Sequence, residues 1–181
     1  MEAERYGSST IPVDITSEHT ENEAMALFAE QQAMEMKYME RNRELNALLL
    51  NDPKDISNWL KMVHAQDEFS TLVSGSYRKQ NKGTGGESLK VVVETKLEIF
   101  RRALEHNPRN VTLVVGMLET MQALENPTET SKAWHTAVSE NPDSGPLWLA
   151  YLSFIQSNFS SFSMERIRTV CTSAVRYLNP A

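Results

Sequence analysis

Cysteine is almost absent: Cys171 is the only one in 181 residues. A lone thiol forms no internal disulfide, which fits a reducing compartment such as cytosol or nucleus. Long apolar runs are missing too. Segments such as 47–50 and 91–93 are far too short to span a bilayer. The first twenty residues lack the apolar core of a secretory signal, so the glycosylation-like triplets at Asn110 and Asn158 read as chance. Basic excess is lacking: the net charge is −6 and the pI about 5.3. That balance excludes a dense phosphate-binding face over the whole chain.

Catalytic and metal-binding patterns are equally scarce. His19, His64, His106 and His135 show no metal-ligand spacing with one another or with Cys171. His64 and Asp67 read as a surface pair. Gly83, Gly85 and Gly86 precede a helix but lack the Lys-Ser/Thr ending of a phosphate loop. No Ser-His-Asp or Cys-His arrangement stands out. The expectation is a non-enzymatic chain with no catalytic residue, cofactor or metal.

Helix formers dominate what remains. Residues 1–22 are rich in Ser, Thr and Glu and read as a disordered tail. Apolar spacing of three and four predicts helices over 23–50, 56–73, 88–106, 111–124, 129–140, 145–156 and 163–178. Met25, Met34, Met36 and Met39 are read as core and helix filling rather than a sticky surface. Residues 74–87 carry four glycines and read as a flexible insertion in a domain covering 23–178. The fold class is therefore all-α, with about seven helices.

A recurring phrase organises them. ALLLNDP (47–53), ALEHNP (103–108), AVSENP (137–142) and AVRYLNP (174–180) each close a helix on Asn and Pro. Proline cannot continue a helix and pushes the preceding residue out of the α region. Pro53, Pro108, Pro142 and Pro180 are separated by 55, 34 and 38 residues. The first interval contains the insertion; the others match helix-pair repeats. Six residues after the first three prolines stand Trp59, Val114 and Trp148, and nine after them Met62, Met117 and Tyr151. Each such pair shares one helix face. The second helix of each unit has its own stripe: Leu97, Phe100, Ala103 and Leu104; Ala133, Trp134, Ala137 and Val138; Ile167, Val170, Ala174 and Val175. Ala103, Ala137 and Ala174 permit close helix approach, and Cys171 reads as a small core residue within the last stripe. The pattern predicts an antiparallel helix-pair solenoid of the TPR-like kind.

Trp with Tyr three residues later, as in LWLAY, points to half-a-TPR (HAT) repeats. NDPKDISNWLKMVHAQDEF, KLEIFRRALEHNP and AWHTAVSENPDSGPLWLAYLSFIQSNFSSFS together resemble the start of the HAT region of the nuclear-RNAi-defective (NRDE-type) family, over about 42–178. The resemblance implies a nuclear, non-enzymatic scaffold in small-RNA-guided silencing, pre-mRNA processing or RNA surveillance, with proteins of those complexes as partners. Family members are much longer, so a fragment or short isoform is expected. The family's link to the exosome helicase runs through an N-terminal segment with no match here. The alternative is RNA binding through Arg101, Arg102 and the basic run Arg78, Lys79 and Lys82. No membrane contact is expected. The last helix is expected to leave an apolar face for a longer chain or for self-association.

Overall fold

Residues 15–77 and 85–178 are described by a computed structural model. They form seven α-helices: α1 (Ile15–Asn51), α2 (Ile56–Tyr77), α3 (Gly85–His106), α4 (Val111–Met121), α5 (Pro127–Glu140), α6 (Gly145–Ser157) and α7 (Met164–Leu178). A single 3-10 turn, Phe159–Ser161, joins α6 to α7. The described residues contain no strand. Two boundaries move. Residues 15–22, expected in the tail, already belong to α1, because no Gly or Pro interrupts the chain between Pro12 and Pro53. The ends of the expected insertion, 74–77 and 85–87, are helical. Residues 1–14, 78–84 and 179–181, the last including the Asn-Pro of the fourth phrase, lie outside the described residues.

The Asn-Pro phrase ends helices by a specific device. Asn107 and Asn141 each donate a side-chain N–H to the carbonyl four residues back, on Ala103 (3.2 Å) and Ala137 (3.1 Å). The same carbonyl also accepts that Asn's backbone N–H, so the side chain doubles the last bond of the helix. The following helix is capped in turn: Asn110 accepts from the Leu113 N–H and Ser144 from that of Leu147. Asn126 accepts from the Glu129 N–H, with Pro127 in the first turn of α5.

Consecutive helices run antiparallel. Tyr38 of α1 stacks on Phe69 of α2 with ring centroids 4.2 Å apart, and its hydroxyl donates to Gln66 at 2.8 Å. On α2 and α3, Lys96 pairs with Asp67 at 2.8 Å. His64 contacts Glu68 at 3.6 Å rather than the expected Asp67. Besides neighbour packing, α4 touches α6, the stacking of one helix pair on the next that defines a solenoid.

Two cores result. One joins Leu45 and Leu49 to Trp59, Met62, Val63, Ile99, Phe100, Ala103 and Leu113. The other joins Leu118 to Trp134, Ala137, Val138, Leu147, Trp148, Tyr151, Phe154, Ile155, Val170 and Ala174. They meet along α4, which gives Leu113 to the first and Leu118 to the second. Gly116 between them is required by space: a Cβ there would lie 2.8 Å from Cζ of Phe100.

Three expectations about the core need correction. Cys171 and Val175 are exposed, because they lie with Met164 on the face of α7 turned away from α6. Leu27 and Leu48, whose spacing with Met34, Tyr38 and Leu45 predicts one apolar face for the 23–50 helix, are exposed as well. Met25, Met36 and Met39 do not fill the core but point to solvent.

Candidate functional site

The repeat signature is built around a hydrogen bond. Trp59 donates its indole N–H to the Pro53 carbonyl at 2.9 Å, and Trp148 donates to the Pro142 carbonyl at 2.8 Å. The six-residue offset thus places the indole against the turn that starts its own helix. Tyr151, nine residues past Pro142, is fully buried against Trp134 and shares a 3.1 Å hydrogen bond with the Ser131 hydroxyl. Trp134 differs from the other two: its indole N–H finds no acceptor among the described residues.

The middle unit lacks the device. Val114 stands in the Trp position and offers no N–H to the Pro108 carbonyl. The Asn107–Asn110 turn closes by a 3.2 Å hydrogen bond, with Pro108 second and Arg109 third. Arg109 has φ 67°, the only positive φ at a non-glycine among the described residues. Proline followed by positive φ is a type II turn, whose third position favours glycine. An arginine there costs roughly 1–2 kcal/mol. The equivalent Lys54 and Asp143 keep negative φ, in turns whose proline carbonyl is held by a tryptophan.

The same substitutions open a groove. A cavity of about 660 Å³ lies among α3, α4 and α5. Leu97, Leu104, Val114, Met117, Met121 and Ala133 give it an apolar floor. Val114 and Met117 are the counterparts of Trp148 and Tyr151, so space filled by rings in the last unit is open here. Arg101 and Arg109 lie along the α3 side, and Glu125 and Glu140 along the α5 side. Arg101 is partly engaged by Glu98 at 3.3 Å, in an exposed pair of small energetic weight. Arg109, Glu125 and Glu140 have no ion-pair partner among the described residues.

The expected basic residues separate. Arg101 faces the groove. Arg102 instead sits with its guanidinium 5.6 Å from the centroid of the Trp59 ring, a cation–π contact that covers the first core. Arg78, Lys79 and Lys82 lie outside the described residues. Among the signature residues, Ala103, Ala137, Trp59, Trp148 and Tyr151 are buried, and Pro53, Pro108 and Pro142 stand at the turns. Sequence reasoning missed Arg109 and the groove; the signal was the Val-Met pair at the degenerate positions. No cluster of His, Cys, Asp or Glu among the described residues could hold a metal.

Comparison with known proteins bears on this framework. The family model described as "NRDE-2, necessary for RNA interference" matches residues 40–181. The chain belongs to the NRDE-2 family. It is 32% identical over 136 residues to "Nuclear exosome regulator NRDE2" of Mus musculus, covering 72% of this chain and 11% of the mouse protein. The Homo sapiens protein of that name is 30% identical over 148 residues, covering 78% and 12%. That of Dictyostelium discoideum is 28% identical over 152 residues, covering 80% and 11%. This member of the family therefore spans about a ninth of the length of the curated relatives it matches.

Proposed function

We propose that this chain is a non-enzymatic, HAT-type scaffold segment acting in the nucleus on exosome-linked RNA regulation, and that the α3–α4–α5 groove is where it takes hold of a partner protein. The carrying observation is the cavity itself, an apolar floor in the size range of ligand sites with charges of both signs along its edges. Such a groove suits a short amphipathic segment with apolar anchors, an acidic side chain for Arg109 and a basic one for Glu125 or Glu140. The names of the relatives supply the setting, nuclear exosome regulation. Small-RNA-guided silencing is the further reading, supported by the family description.

The test is affinity capture from nuclear extract with the wild-type chain and with Met117→Lys and Arg109→Glu, both checked for helicity. Partners retained by the wild type and lost by both variants support the reading; an identical partner set for all three sinks it. Direct RNA binding through Arg101 and Arg102 is the competing reading. A filter-binding series over salt decides it: steep salt dependence at micromolar affinity supports RNA, and no binding at low salt removes it.

A further inference from the structure

Helix α1 is apolar on two faces. Met34, Tyr38, Leu45 and Leu49 turn toward α2 and the first core. Met25, Phe28, Met36 and Met39 form a second stripe on the other side, exposed at 71%, 61%, 72% and 67%. Four large apolar side chains in one row on a surface helix call for a partner. The stripe also lies ahead of residues 40–181, so it falls outside the stretch the family model matches.

Its spacing names the occupant. With Gln32 included, the stripe steps by three, four, four and three residues, from Met25 through Phe28, Gln32 and Met36 to Met39. That order reads the same from either end. An antiparallel two-fold pairing requires this property, because residue i must then meet j while j meets i. We propose that α1 pairs antiparallel with α1 of a second copy of this chain, about a two-fold axis at Gln32. Met25 then packs against Met39 of the second copy and Phe28 against its Met36. The two Gln32 amides hydrogen-bond across the axis and fix the register, as a single polar seam residue does in coiled coils.

The flanking charges select the antiparallel direction. Glu35 and Glu40 lie five residues apart on opposite edges of the stripe. In a parallel pair they would face each other across the seam, twice over. In the antiparallel pair they lie level with Ala29 and Ala24 of the second copy instead. Antiparallel helix dipoles also attract.

Sedimentation of the full chain over a concentration series tests this. The wild type is expected to show a reversible monomer–dimer equilibrium. Phe28→Glu and Met36→Glu should each weaken the dimer at least about tenfold with unchanged helicity, and Val175→Glu on α7 should leave it intact. Gln32→Glu and Gln32→Lys should each be monomeric, and their equimolar mixture should dimerise. In a Cys171→Ser background, Met25→Cys mixed with Met39→Cys should give the 25–39 disulfide in excess of 25–25. A wild type monomeric at every concentration overturns the proposal. So does a dimer broken by Val175→Glu but not by Met36→Glu, or a 25–25 crosslink in excess.

Discussion

The outer units and the middle unit solve the same problem differently. In the outer units an indole N–H ties the proline carbonyl down, and the ring fills the space beneath the turn. In the middle unit Val114 does neither, so the turn flips to put Arg109 at positive φ and the space stays open as a groove. A repeat can thus give up regularity at one unit and keep its architecture, because the neighbouring units hold it. The lost ring contacts and the strained turn fall at the same place as the candidate binding site. Strain that the surrounding structure tolerates is common at functional sites.

Trp148→Ala gives the sharpest test of that contrast. It removes a buried ring and the tie together and should cost about 3–5 kcal/mol in chemical denaturation, against about 1 kcal/mol for Val114→Ala. Equal losses would erase the distinction. Next is Gly116→Ala. A helix gains nearly 1 kcal/mol from that exchange in the open, but Phe100 occupies the space. The expected net is a destabilisation of about 1–2 kcal/mol, read as a lowered urea midpoint. Tyr151→Phe should cost about 1 kcal/mol by leaving the buried Ser131 hydroxyl without its partner; an unchanged melting temperature would refute that bond. The smallest effect has the opposite sign. Arg109→Gly relieves the turn and should stabilise the fold by about 0.5–1 kcal/mol while weakening capture of the groove's partner. Destabilisation by Arg109→Gly would mean that the turn carries no strain.

Much of this architecture was legible in the sequence. The seven helices followed from apolar spacing, and the ends of α3 and α5 from Asn-Pro, because both signals are local. Trp59, Trp148 and Tyr151 stood out by their offset from proline, although the indole bond that sets the offset did not. The buried or exposed fate of Cys171 was not legible. It sits beside Val170 in sequence, one step around α7, and only the position of α6 decides which of the two is covered. The methionines of α1 failed for a related reason: stripes on opposite faces of one helix overlap in a periodicity count. The groove is a void between three helices, and no single segment encodes it.

The position of α4 has a consequence for how the molecule comes apart. Its eleven residues hold Leu113 in one core and Leu118 in the other. In a linear array, cooperativity is only as strong as the interfaces between neighbours. Helix α4 is therefore the coupling between two halves that would otherwise melt independently. Weakening its seat should split a single unfolding transition into two.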